Sequence, residues 1–157
     1  MYTHPCFTFT SQNSANCKRQ KNILRKNSQL NSILFLFLEN SGPYVGVNYP
    51  FELGVDGKGI KIGVIDTGVN FAHPDFSTAK KNPDLLKGYD FVDMDNFPQD
   101  LNGHGTQVAG IISANGQLRG IAPEAEIFAY RVSEDGESVP STLIVDAIKR
   151  AIQDDVD

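Results

Sequence analysis

Asp66 and His104 are the residues whose types and surroundings suit acid–base chemistry. A carboxylate beside an imidazole fixes which ring nitrogen carries the proton. It also stabilises the imidazolium formed when the other nitrogen accepts one. Asp66 follows a short apolar run, in Val64-Ile65-Asp66-Thr67-Gly68-Val69. In open α/β sheets, sites form just beyond the carboxyl ends of strands. An Asp at that place can also simply close the strand as an Asx-turn. His104 sits in Asn102-Gly103-His104-Gly105-Thr106-Gln107-Val108-Ala109-Gly110. Glycine on each side lets another backbone come close and lets the chain turn sharply into a helix. The other histidines, His4 and His73, lack flanking glycines.

Positioning such a pair needs a strand ahead of Asp66 and a helix starting at His104. Ile60-Lys61-Ile62-Gly63-Val64-Ile65 is β-branched and nearly continuous in apolar character, after the turn signal Asp56-Gly57-Lys58-Gly59. That pattern predicts a strand buried on both faces of a parallel sheet. From His104 to Ala114, Val108, Ala109, Ile111 and Ile112 recur at helical spacing. Glu126-Ile127-Phe128-Ala129-Tyr130-Arg131-Val132 alternates as a strand does. A helix is predicted from about Thr142 to Asp154, with Leu143, Ile144, Ala147, Ile148, Ala151 and Ile152 as one apolar stripe. Ser141 or Ser138 is the expected cap, with Pro140 near the first turn. Residues 70–102 are rich in Asp, Asn, Pro and Lys and read mostly as surface loop, with an apolar stretch around Tyr89–Val92. Within it, Asp90, Asp93, Asp95 and Asp100 read as a solvated acidic group, and Asp100 lies near enough to His104 to border a cleft. Strand, helix, strand, helix in that order predicts an α/β fold, a doubly wound parallel sheet with helices on both faces.

Charge divides the chain. Residues 1–40 carry net +4 and residues 41–157 carry net −9, within an overall −5. An acidic body argues against a nucleic-acid-binding surface, which needs clustered positive charge. No run reaches the roughly 18 apolar residues of a membrane span. The expected organisation is a basic, disordered leader over residues 1–40 and a folded unit over 41–157. In the leader, Lys18, Arg19, Lys21, Arg25 and Lys26 precede the apolar run Ile33–Leu38. That run is shorter than the core of an ordinary export signal, and no small-residue cleavage site follows. Both cysteines, Cys6 and Cys17, lie in this leader, where a bridge would tie only a small loop.

The strings GKGIKIGVIDTGVNFAHPDF, NGHGTQVAGIISANG and GIAPEAEIFAYRV, in that order, resemble the first half of the subtilase (subtilisin-like serine protease) family over roughly residues 43–157. The resemblance implies an incomplete subtilisin-like sheet. It also implies a serine-type endopeptidase acting on protein or peptide substrates through an Asp, His, Ser triad in that chain order. Carried over, Asp66 orients and His104 is the general base. A Ser hydroxyl is a weak nucleophile near neutral pH, and His supplies the base that activates it. The family's nucleophile lies in a motif like GTSMAAP, which does not occur in these 157 residues. Its oxyanion Asn and Ser-Leu-Gly substrate strand are absent too. The expectation is a fragment that ends before the catalytic Ser and is inactive by itself. Gln107 stands where the family usually has His, at a position that is not catalytic.

The resemblance also matches Asp75, in His73-Pro74-Asp75-Phe76, to a position able to ligate structural calcium. Calcium takes about six to eight oxygens, and the loop Ala114-Asn115-Gly116-Gln117 that would supply others is short. Asp75 therefore stands as a weak calcium candidate beside a turn or cap role, and no cofactor is expected for catalysis. By resemblance the protein is secreted or held at the cell envelope. Two other readings stand beside this one. A protease remnant can persist as a non-catalytic binding module. Asp66-Thr67-Gly68 is also the turn of aspartic proteases, in which two carboxylates share a proton; that reading leaves Asn102–Gly110 unexplained.

Overall fold

The computed structural model describes residues 41–76 and 87–157. Residues 1–40, with Cys6, Cys17 and His4, lie outside the described residues. The elements in chain order are α1 (Asn48–Glu52), β1 (Lys61–Asp66), a 3₁₀ turn (Pro74–Phe76), β2 (Lys87–Asp90), α2 (His104–Ser113), β3 (Glu126–Arg131) and α3 (Ser141–Gln153). The three strands form one sheet in the order β1-β3-β2, parallel throughout. Parallel neighbours cannot be joined by a tight hairpin, so crossovers must run over the sheet faces. The α2 segment makes the crossover from β2 to β3.

Side-chain alternation along β3 explains the layering. Ile127 and Ala129 join Val64, Val69, Phe76 and Ala109 in one core, which extends through Ile62, Val108 and Ile112. Phe128, Tyr130 and Val132 face the other way, against Ala147, Leu143 and Ala151 of α3. The sheet thus carries α2 on one face and α3 on the other, an α/β arrangement.

Several expectations are corrected. In β1 only Val64 is buried, and its other residues are half-buried. Among the described residues this strand pairs with β3 alone, whereas β3 has a neighbour on each side and is buried from Ile127 onward. The stretch read as loop holds the strand Lys87–Asp90, together with fully buried Pro98, Asp90 and Asp100. Neither Ser138 nor Ser141 caps α3. Pro140 takes the cap position and makes no side-chain cap bond. Its carbonyl accepts instead from the amides of Leu143 and Ile144. The apolar stripe of α3 is wider than the contact it makes: Ala147 is buried, while Ile144, Ile148 and Ile152 are exposed. Among the described residues no helix is long and apolar enough to cross a membrane.

Candidate functional site

The carboxyl ends of the three strands carry a row of charged residues in register. Asp66 stands opposite Arg131, and Arg131 opposite Asp90. Asp66 is the last residue of β1, and His104 is the first of α2. Their side chains meet: His104 Nδ1 lies 2.8 Å from Asp66 Oδ1 and 2.9 Å from Oδ2. The Asp66 carboxylate is mostly enclosed, at 15% exposed, and the His104 ring is open to solvent at 63%. Asp66 Oδ1 also accepts from the Thr67 amide at 2.7 Å. A ring whose Nδ1 faces a carboxylate presents Nε2 as the nitrogen able to take a proton from another group.

The start of α2 explains why the two side chains meet. A helix leaves its first amides without intrahelical partners, and here groups outside the helix take them. Asn102 Oδ1 accepts from the His104 amide at 3.2 Å. Thr67 Oγ1 accepts from Gly105 at 2.9 Å, and Asp100 Oδ2 accepts from Thr106 at 2.9 Å. Thr67 follows Asp66 directly, so the cap of α2 is also a bond to the end of β1.

The flanking glycines have distinct tasks. Gly103 turns into the helix at φ 108°, in the left-handed region. Gly105 allows close approach, since a Cβ there would stand 2.1 Å from the Gly68 carbonyl oxygen and 3.1 Å from Asp66 Oδ1.

Asp100 is the residue sequence reasoning misplaced. It is fully buried rather than lining a cleft or sitting in solvated loop. Its Oδ1 accepts from Thr67 Oγ1 at 2.9 Å, the Asn102 amide at 2.9 Å and the Gly103 amide at 2.8 Å. Its Oδ2 accepts from Thr106 Oγ1 at 2.5 Å as well as from the Thr106 amide. The available signal was local: an Asp ahead of Asn and Gly, just before a helix, is a residue that folds its side chain onto the next amides.

Asp90 is likewise buried, bonded to Arg131 Nη1 at 2.7 Å, and Asp93 meets the same nitrogen at 2.6 Å. Burial disfavours the guanidinium charge, but the bonds to Asp90 and Asp93 outweigh it and hold the proton more firmly than usual.

Asp75 lies away from the pair, buried at the 3₁₀ turn. Its Oδ1 accepts from the amides of Gln117 at 2.6 Å and Leu118 at 3.3 Å, and its amide bonds His73 Nδ1 at 3.1 Å. These two amides make Asp75 Oδ1 an anchor for the loop that follows α2. Among the described residues no three His, Cys, Asp or Glu side chains come together in a metal-binding group.

The loop after β3 is tied to Asn102, two residues before His104. Asn102 Nδ2 donates to the Asp135 carbonyl at 2.7 Å. Amides of Glu137 and Ser138, then the Ser133 hydroxyl, hold the Asp135 carboxyl below its ordinary value.

Comparison with known proteins places this arrangement. Residues 57–157, which include both Asp66 and His104, match the description "Subtilase family". The chain belongs to the subtilase family. Among subtilases of known sequence, it is 43% identical to the minor extracellular protease Vpr of Bacillus subtilis over 76% of this chain and 16% of that protein. It is 40% identical to thermitase of Thermoactinomyces vulgaris over 61% of this chain and 34% of that protein. Among solved subtilase structures, a cold-adapted subtilisin-like serine proteinase superposes with a TM-score of 0.54 at 39% identity, covering 62% of this chain and 33% of the other. The chain thus spans about a third or less of these subtilases.

Proposed function

We propose that this chain carries the Asp–His half of a serine endopeptidase site. The observation that supports this best is the contact of His104 Nδ1 with both carboxylate oxygens of Asp66. In this reading Asp66 holds the His104 tautomer and steadies the imidazolium, and His104 Nε2 accepts the proton of an attacking hydroxyl. His104 then returns that proton to the leaving amine.

The hydroxyl is supplied from outside these 157 residues, which hold no string like Gly-Thr-Ser-Met. Substrates are proteins or peptides, and residues 41–157 act as one unit of the peptidase domain. The extracellular naming of Vpr favours secretion here as well. Asp75 acts as a loop anchor, and no step calls on a metal. The aspartic-protease reading has less support, because Asp66 meets an imidazole and not a second carboxylate.

The test compares casein digestion by the 157-residue chain with digestion by the same chain joined to a serine-bearing subtilase segment. Hydrolysis by the joined protein alone, blocked by a serine-directed phosphonate and lost in His104→Ala, supports the reading. Turnover equal in His104→Ala and its parent overturns it.

A further inference from the structure

We propose that Asp100 is a positioning residue that sets the distance between Asp66 and His104. The inference rests on the reading of that pair given under Proposed function. Asp66 and His104 are 38 residues apart in the chain, so sequence proximity does not hold them together. Asp100 bonds to the neighbours of both. Thr67, next after Asp66, donates its hydroxyl at 2.9 Å. Asn102 and Gly103, which lead into His104, donate their amides at 2.9 and 2.8 Å. Thr106, two residues past His104, donates both its amide and its hydroxyl.

These bonds close a ring. Thr67 Oγ1 donates to Asp100 and accepts from Gly105, the residue after His104. Thr106 Oγ1 donates to Asp100 and accepts from the Asn70 amide at 3.0 Å, four residues past Asp66. The end of β1 and the start of α2 are therefore tied through one carboxylate. A buried carboxylate is stable only when donors surround it. Five donors meet the roughly four lone-pair sites it offers, and bonds to an ionised acceptor are the stronger kind. Asp100 is fully buried, and these five bonds run to the residues on either side of the pair, so it acts through them. A misplacement of about 1 Å can lower an enzymatic rate about 10²-fold.

The replacement Asp100→Asn keeps the shape but sets an amide donor against the Thr106 amide. The first readout is the proton NMR signal of the His104 ring N–H bonded to Asp66, identified by its disappearance in Asp66→Asn. Loss or a large upfield shift of that signal in a folded Asp100→Asn chain is the expected result. Phe128→Leu, in the core on the other sheet face, is expected to lower Tm and keep the signal. If Asp100→Asn does not fold, Thr67→Val carries the test, since it removes only one side of the ring; loss of the signal supports the proposal and retention overturns it. In the serine-completed protein, Asp100→Asn is expected to lower kcat about 10²-fold with KM little changed.

An unaltered signal in Asp100→Asn overturns the proposal. So does its equal loss in Phe128→Leu at matched Tm, which marks a merely structural role. The two readings fail separately. Full activity in Asp100→Asn, with none in His104→Ala, defeats this proposal and leaves the proteolytic reading intact. Loss of the signal in a serine-completed protein that hydrolyses nothing does the reverse.

Discussion

Arg131 and Asp90 end neighbouring parallel strands in register, and their charged groups meet at 2.7 Å with both side chains almost wholly withdrawn from solvent. Such a pair stabilises little against a well-packed apolar alternative, yet breaking one side leaves a buried charge. Arg131→Met is expected to destabilise the fold by about 3–5 kcal/mol. Adding Asp90→Asn, which removes the stranded charge and keeps an acceptor for the Val92 and Asp93 amides, should recover most of that loss. Urea denaturation of the parent, single and double variants measures the difference. Equal stability of the two variants would contradict the argument.

Gly105→Ala tests the approach of α2 to β1. The new methyl would meet the Gly68 carbonyl oxygen, which is backbone and cannot swing aside. The helix start must retreat, and the His104 ring with it. The expected outcome is a folded chain that lacks the ring N–H signal of the Asp66–His104 contact. Gly103→Ala, where a Cβ meets nothing within 4 Å but φ is positive, should act differently. It is expected to cost about 1 kcal/mol through backbone strain and to keep the signal.

The third prediction concerns alkaline pH. Burial, then the 2.9 Å bond from its hydroxyl to Asp154, raises the Tyr130 phenol well above its ordinary value. In the unfolded chain the phenol loses its proton near pH 10, while in the folded chain it keeps it. Between those two values the unfolded state binds fewer protons, so stability falls as pH rises. Below the unfolded value the contribution is fully present. Tyr130→Phe should be less stable than its parent near neutral pH by about 1 kcal/mol, and it should show a shallower loss above pH 10. Thermal melts across that range decide it, and parallel curves for the two proteins would refute it.

The fourth prediction belongs to the proposed chemistry. In the serine-completed protein, Asp66→Asn should keep the fold but favour the wrong His104 tautomer. A fall in kcat of about 10⁴-fold is expected. Steady-state kinetics with a chromogenic peptide provides the check, and a change of less than tenfold would argue against Asp66 as the orienting group.

The pair itself was legible in the sequence because each residue sits beside a strong local signal. Asp66 ends a β-branched run, and His104 stands between glycines ahead of helical spacing. Helix α3 was legible for the same reason, since its period of 3.6 is written in apolar residues. Strand β3 was legible as a strand, but in place of the expected alternation it is a continuous apolar run, Ile127–Tyr130, buried on both faces. Strand β2 was not. Lys87-Gly88-Tyr89-Asp90 has too little apolar content to announce a strand, and it becomes one by pairing with β3. Asp100 was misread because a charge among Asp, Asn and Pro looks solvated. Its burial depends on Thr67 and Thr106 converging from separate elements, which no local window contains. Asp75 drew attention through its motif, but the amides of Gln117 and Leu118 on its carboxylate come from a loop more than 40 residues away, which no local window contains.

The strand order β1-β3-β2 has a kinetic consequence. The middle strand is the last of the three to leave the ribosome. Until Glu126–Arg131 emerges, Lys61–Asp66 and Lys87–Asp90 have no strand between them to pair with. Non-local parallel pairing of this kind is intrinsically slow, because loop closure precedes any stabilising contact. The nascent chain therefore carries both strands without their shared partner until Arg131 has emerged, an interval in which chaperones have unpaired strand edges to bind.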